Sequence, residues 1–112
     1  IRMFAVIYQS WVLPEHEENY QQLWQKIADY FISECGAIGA CLHKTQEGSY
    51  LAYSRWPDRA TREASWPGDT DPFQSLPITI AQAITDIKTY IDESRHIPEI
   101  TMDVTCDLLL PQ

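Results

Sequence analysis

Residues 50–66 read Tyr-Leu-Ala-Tyr-Ser-Arg-Trp-Pro-Asp-Arg-Ala-Thr-Arg-Glu-Ala-Ser-Trp, and they predict a strand followed at once by a short helix. The first seven residues are aromatic and β-compatible, and Pro57 ends the strand because proline removes a ladder donor and fixes its own φ. Asp58 stands where a carboxylate caps a helix N-terminus. The helix is expected from Asp58 to Trp66, before Pro67-Gly68. Trp66 therefore stands where a loop begins and is a candidate for the rim of a pocket.

A β-hairpin is predicted to include this strand. Residues 38–45 form another short β-forming run, and Gln46-Glu47-Gly48-Ser49 separates the two. The glycine supplies the conformation that a tight reversal of the chain requires.

The chain opens with a strand and a long helix. Residues 2–12 are almost continuously β-forming, with apolar side chains on both parities, so both faces of this strand are expected to be buried. A helix opened by Pro14 follows, with acidic residues in its first turn and Gly36 as its stop. Its apolar stripe recurs at spacings of three and four: Tyr20, Leu23, Trp24, Ile27, Ala28 and Phe31.

A loop, a helix and a strand are predicted for the rest of the chain. Residues 67–77 hold three prolines and a glycine and are expected to form a loop or lid. An isoleucine stripe predicts a second long helix that ends near Arg95-His96. Residues 99–109 alternate as one strand with a wet face. Its apolar side is Ile100, Met102, Val104, Cys106 and Leu108.

The order of elements predicts an α+β fold of ferredoxin-like βαββαβ type, with a four-stranded antiparallel sheet and helices on one face. Such a domain covers only one face of its sheet, so an apolar row of the first strand is left open. We therefore expect a homodimer that packs sheet against sheet.

Length and charge narrow the classes of function. The 112 residues suit a single domain spanning 1–112, and the net charge of −8 argues against nucleic acid as a partner. No stretch has the length of a membrane span and no signal peptide is evident, so no membrane association and a cytoplasmic location are expected.

The three cysteines form no C-x-x-C pair and are expected to be reduced thiols, with Cys41 and Cys106 packed as small apolar residues. Cys41 and His43 share one strand face, but two ligands are too few for a metal site. No metal is therefore expected.

With Tyr53-Ser54-Arg55-Trp56-Pro57-Asp58-Arg59-Ala60 after a hairpin, the chain resembles the antibiotic biosynthesis monooxygenase (ABM) family of dimeric α+β barrels. Trp56, Asp58 and Ala60 match its Trp-x-Asp-x-Ala motif. The residues themselves favour structural roles for all three: Trp56 in the core, Asp58 as a cap, Ala60 for close helix packing. At Trp66 the family often has His, and some oxygenases and heme-degrading members have Trp.

The resemblance implies a cofactor-free monooxygenase in which the anion of a small aromatic or quinol compound reacts with dioxygen. Such a site needs a dry pocket and a hydrogen-bond donor for the developing oxyanion. The candidate catalytic residues are Trp66, Gln9 and Tyr53. The candidate substrate-binding residues are Trp66, His43, Arg55 and Phe73.

Two alternatives remain open. A non-catalytic dimer of the same fold that binds a small molecule is favoured by the lack of an obvious base. Heme degradation is disfavoured, because Ile7 stands where those relatives have Asn and residues 67–95 contain no His to ligate iron. Gln9→Leu and Trp66→Phe should lower oxygenation but largely spare a purely apolar binder.

Overall fold

A computed structural model of the chain describes residues 2–109. Four strands form one sheet: β1 (Phe4–Ser10), β2 (Gly39–Lys44), β3 (Tyr50–Trp56) and β4 (Ile100–Asp103). They are antiparallel neighbours in the order β2-β3-β1-β4. Three helices accompany the sheet: α1 (Glu17–Glu34), α2 (Arg59–Ser65) and α3 (Ile78–Lys88). The predicted ferredoxin-like α+β fold is confirmed.

The strand register gives the sheet an inner face toward the helices and an outer face away from them. On the inner face Phe4 pairs with Trp56 and Val6 with Ser54. Phe4, Val6 and Trp56 belong to the core with Ile84 of α3. Ala5, Ile7 and Gln9 alternate with them and lie on the outer face. Ala5 is buried and Ile7 partly buried, so most of the burial predicted for β1 is present within a single chain.

Helix α1 begins and ends where its sequence predicts. A 3-10 turn at Pro14–His16 leads into it, and the acidic first turn suits the positive end of the helix dipole. Tyr20, Ile27 and Phe31 are its buried residues. Gly36 follows the helix with φ +83°, a conformation that glycine adopts without strain.

The β3–α2 junction forms as residues 50–66 predict. Asp58 caps α2, because its Oδ1 accepts hydrogen bonds from the Thr61 backbone N–H at 2.7 Å and from the Thr61 hydroxyl at 2.8 Å. These two bonds lower the pKa of Asp58. Ala60 is exposed, so its expected role in close helix packing was wrong.

Helix α3 is shorter than predicted. It ends at Lys88 rather than near Arg95, because the following segment is held by residues after β1. The Leu13 N–H donates to the Tyr90 carbonyl at 2.8 Å, and the Asp92 N–H donates to the Trp11 carbonyl at 2.7 Å. Backbone groups bonded across the chain in this way cannot continue the helix.

The last strand is also shorter than predicted. Only Ile100–Asp103 pair with β1, and the alternation over residues 99–109 overstated the strand. After β4 the chain turns so that Asp107 forms an ion pair with Arg55 of β3. Leu108 was expected on the apolar side of this strand, but it is 86% exposed.

Two of the cysteines differ from expectation. All three thiols are free, but Cys41 and Cys106 are exposed rather than packed in the core. Within residues 2–109 no helix has the length and apolar character needed to cross a membrane.

Candidate functional site

A largely apolar cavity of about 200 Å³ lies between the inner face of the sheet and the helices. Its walls include five large aromatic side chains: Tyr20, Trp24, Phe31, Trp56 and Trp66. Phe31 packs between two of the others: its ring centroid lies 6.1 Å from that of Trp56 and 5.4 Å from that of Trp66. Burial raises the pKa of Tyr20 to about 12, which keeps its phenol neutral at physiological pH. The cavity therefore suits a flat, uncharged ring system.

One end of the cavity is polar, where Tyr8 meets Arg62. The Arg62 Nη2 group donates to the Tyr8 hydroxyl at 2.7 Å and to the Glu99 carboxylate at 2.9 Å, and Nη1 donates to the same carboxylate at 3.3 Å. Burial, reinforced by the nearby Glu99, raises the pKa of Tyr8 well above its usual range. Tyr8 is thus a neutral phenol held against a guanidinium group.

Arg62 is 8% exposed, and its Nη1 and Nη2 groups donate hydrogen bonds to Glu99 and Tyr8. Burial opposes the ionisation of Glu99, but hydrogen bonds from Arg62 and Tyr8 outweigh it and lower the pKa of that carboxyl. The guanidinium also lies 5.3 Å above the Trp66 ring, a cation–π contact that fixes both side chains. The bidentate pairing compensates for the desolvation of Arg62 and leaves the Glu99 carboxylate little capacity to serve as a base.

Trp56 carries a hydrogen-bond donor without an acceptor. The residue is 3% exposed and lines the cavity, and its Nε1–H has no partner among residues 2–109. An unsatisfied buried donor costs about 1–3 kcal/mol, so such groups are rare in folded proteins and call for an explanation. Trp56 borders the cavity, but less than 1 Å² of its Nε1 is accessible, so a ligand oxygen reaches this donor only after the wall moves.

A second, more polar cleft of about 540 Å³ adjoins the cavity. It lies between the Trp66–Asp69 segment and residues 91–99. Five residues line both spaces: Tyr8, Ser10, Trp66, Lys88 and Ile91. The two spaces are therefore neighbouring compartments, with Tyr8 and Trp66 at their junction; those two rings lie 5.8 Å apart.

Two of the candidate residues from the sequence lie on the helix side, in different places. Trp66 lines both compartments, as expected for the rim of a pocket. Phe73 lies on a 3-10 turn at Pro72–Gln74 and is 45% exposed. It lines neither compartment, so its role in substrate binding stays a prediction.

The other four candidates follow the outer face of the sheet. Arg55 Nε and Nη2 donate to the Tyr53 hydroxyl at 3.2 and 3.0 Å, and Arg55 also pairs with Asp107. His43 is exposed and contacts the Leu51 carbonyl. Gln9 borders the outer cleft, but its side-chain amide donates to Ser49 Oγ at 3.1 Å. Gln9, His43 and Arg55 do not line the aromatic cavity, whereas Tyr53 borders it although its hydroxyl is bonded to Arg55. The roles of all four stay predictions.

The sequence interpretation missed Tyr8, Arg62 and Glu99 and placed Trp56 only in the core. Arg62 and Glu99 lie 37 residues apart, and nothing in the sequence pairs them before the fold is known. One available signal was the position of Arg62 on the same turn-and-helix segment as Trp66. Within residues 2–109 no three His, Cys, Asp or Glu side chains converge to hold a metal ion.

Comparisons with known proteins agree with the fold. A family model for antibiotic biosynthesis monooxygenases matches residues 3–65, more than half of the chain. A comparison with curated protein sequences found no significant match.

Several solved structures are similar over nearly their whole length. Rv0793 from Mycobacterium tuberculosis has a TM-score of 0.70 at 12% identity, covering 95% of this chain and 98% of that one. SnoaB, a cofactor-independent oxygenase from Streptomyces nogalater, has a TM-score of 0.65 at 12% identity and full coverage of both chains. A candidate antibiotic biosynthesis monooxygenase from Bordetella bronchiseptica has a TM-score of 0.67 at 16% identity, covering 96% and 100%. At these identities the likeness shows the fold alone.

Proposed function

The chain belongs to the antibiotic biosynthesis monooxygenase family, and on that premise we propose that it is a monooxygenase for a small phenol or quinol. The reaction takes place in the aromatic cavity and uses neither a metal nor an organic cofactor. The likeness to SnoaB, itself a cofactor-independent oxygenase, supports this reading of the family.

The observation that carries the proposal is the N–H of Trp56, a residue of the largely apolar cavity wall: it has no acceptor among residues 2–109 and comes within reach of a ligand when that wall moves slightly. A phenolate or quinol oxygen is the acceptor that such a donor requires. A donor fixed in a dry site stabilises a developing oxyanion much more than it would in water, because it needs no reorganisation. The cavity volume of about 200 Å³ lies below the range of drug-sized pockets and suits a small ring system.

The proposed reaction needs dioxygen as its only co-reactant. The bound phenol loses its proton, and the electron-rich anion transfers one electron to dioxygen. The resulting superoxide and phenoxyl radical combine at a ring carbon that bears hydrogen, para to the oxygen in a phenol or ortho to it in a quinol, and form a C–O bond. The peroxide takes up the proton, its O–O bond breaks, the C–H proton of the same carbon leaves, and a quinone and one water result. One oxygen atom enters the product and the other leaves as water.

The side chains of the site supply positioning and charge stabilisation. Trp56 donates to the oxyanion, and Trp66 offers a flat wall for the ring. Arg62 and Glu99 hold the Tyr8 phenol at the polar end of the cavity, where its hydroxyl accepts from Arg62 at 2.7 Å and donates to Glu99. Stabilisation of the phenolate lowers the pKa of the bound phenol, so that solvent in the outer cleft can accept the proton.

Oxygen uptake with a panel of naphthols, anthrones and quinols tests the proposal. Trp66→Phe is expected to lower uptake about tenfold, because the ring loses part of its contact and Arg62 loses its cation–π partner. Trp11→Phe is the matched control, since Trp11 stacks with Arg95 and lines neither compartment. Uptake absent from the whole panel, or equal loss in both variants, would contradict the proposal.

A non-catalytic binding protein is the second candidate. It is supported by the engagement of Glu99 with Arg62, because that pairing leaves the cavity without a free carboxylate base. Tight ligand binding with no oxygen uptake would establish it. Heme degradation has less support, because residues 67–95 contain no histidine and the cavity is small for a porphyrin.

We also propose that a second copy of the chain covers the outer face. Ile7 and Met102 are only partly buried there, and Ile100 is 53% exposed. Sedimentation is expected to give twice the chain mass, and Ile100→Asp is expected to weaken association because a charge would be buried. Ile78→Asp on α3, at a residue 76% exposed, is the control. A wild-type monomer at micromolar concentration would rule the dimer out.

A further inference from the structure

The junction between the two compartments contains one residue with an unpaired charge. Lys88, the last residue of α3, lines both the aromatic cavity and the outer cleft. We propose that the substrate carries a carboxylate on a short arm and that Lys88 is the specificity-determining residue that binds it. This inference rests on the proposed function, because it assigns the ring of that substrate to the cavity.

The Lys88 side chain is free to bind a ligand. It is exposed and forms no hydrogen bond or ion pair with the rest of residues 2–109. Its acidic neighbour Asp86 instead accepts a hydrogen bond from Gln82 at 2.8 Å. The other cation of the cavity wall, Arg62, is already bound by both oxygens of Glu99. An anion that enters between the compartments therefore finds its available ion-pair partner in Lys88.

The charges of the outer cleft limit the length of the arm. Asp69 and Glu93 line the cleft but not the cavity, so an anion placed further out would meet carboxylates. Arg95 also lines the cleft, with its guanidinium stacked 3.4 Å above the Trp11 ring. The cleft as a whole is mixed in charge. A carboxylate is therefore favoured close to the ring, beside Lys88, and loses its advantage on a long arm.

Matched acid and ester ligands test the inference. Binding of (hydroxynaphthyl)acetic acid and of its methyl ester is followed by quenching of tryptophan fluorescence. The wild-type chain is expected to bind the acid roughly threefold to fivefold more tightly than the ester, as for a partly exposed ion pair. Lys88→Gln is expected to abolish this preference and Lys88→Glu to reverse it. Lys26→Gln is the control, because Lys26 is exposed on α1 and lines neither compartment.

The outcomes separate this inference from the proposed function. Equal affinity for acid and ester, or a preference that survives in Lys88→Gln, overturns the role of Lys88 even if oxygen is consumed. A preference lost in Lys88→Gln and kept in Lys26→Gln supports it even if no oxygen is consumed with any ligand. A (hydroxynaphthyl)hexanoic acid that binds as tightly as the (hydroxynaphthyl)acetic acid overturns the short arm. Thermal unfolding of each variant shows that the fold is retained.

Discussion

Trp56→Phe is expected to lower the rate of oxygen consumption about a hundredfold, the usual effect of removing one donor from an oxyanion site. Trp56 borders the cavity, and its indole Nε1–H has no acceptor among residues 2–109. Phenylalanine keeps most of the ring while removing this donor. Stability is expected to change by less than about 1 kcal/mol, because loss of an unsatisfied donor offsets the lost ring volume.

The same change at another wall tryptophan is the control for this prediction. Trp24 lines the cavity from α1, and Trp24→Phe is expected to lower the rate only a few-fold. Oxygen uptake at saturating naphthol and thermal unfolding are measured for both variants. If Trp56→Phe and Trp24→Phe lose activity to the same small extent, the indole N–H of Trp56 has no special part in the reaction.

Phe31→Ala is expected to destabilise the chain by about 3–5 kcal/mol, a large part of the stability of a domain of this size. Phe31 is 5% exposed and its ring contacts both Trp56 and Trp66, so its removal opens a void in the wall of the cavity. The midpoint of thermal unfolding should fall by on the order of 15 °C. Any folded variant is expected to bind naphthol more weakly, because the ring loses a wall.

Phe73→Ala provides the matched control and tests a prediction from the sequence. Phe73 is 45% exposed and lines neither compartment, so the variant should lose less than about 0.5 kcal/mol of stability. A loss of naphthol affinity in Phe73→Ala would indicate that its loop closes over the site. A loss below about 1 kcal/mol in Phe31→Ala would contradict the account of the core.

The fold could be predicted well because local rules agree with each other along most of the chain. Pro57 and Asp58 end a strand and cap a helix by their own chemistry, and the cap was found as expected. The errors lie where distant parts of the chain decide. Residues 89–92 have helical spacing, but Leu13 and Trp11 bond their backbone groups. Asp107 fits the alternating pattern of a strand, but in the structure it lies outside β4 and forms an ion pair with Arg55 of β3.

The site was harder to predict than the fold because its polar groups meet only in three dimensions. Tyr8, Arg62 and Glu99 come from a strand, a helix and a loop, and no sequence spacing relates them. The Trp56 N–H has no acceptor among residues 2–109 because of the groups that surround it in the fold. A residue pattern does not show those neighbours. Trp66 was singled out because it stands at an element boundary, where local chemistry is informative; it lines both compartments, and its role in the reaction stays a prediction.

The most direct test of the central claim is a single turnover of the purified wild-type protein with a bound naphthol under isotopically labelled dioxygen. We expect a naphthoquinone that contains one labelled oxygen atom, together with one labelled water and no hydrogen peroxide. Naphthol that stays bound and unoxidised, or a quinone without label, would show that the cavity binds phenols but does not oxygenate them.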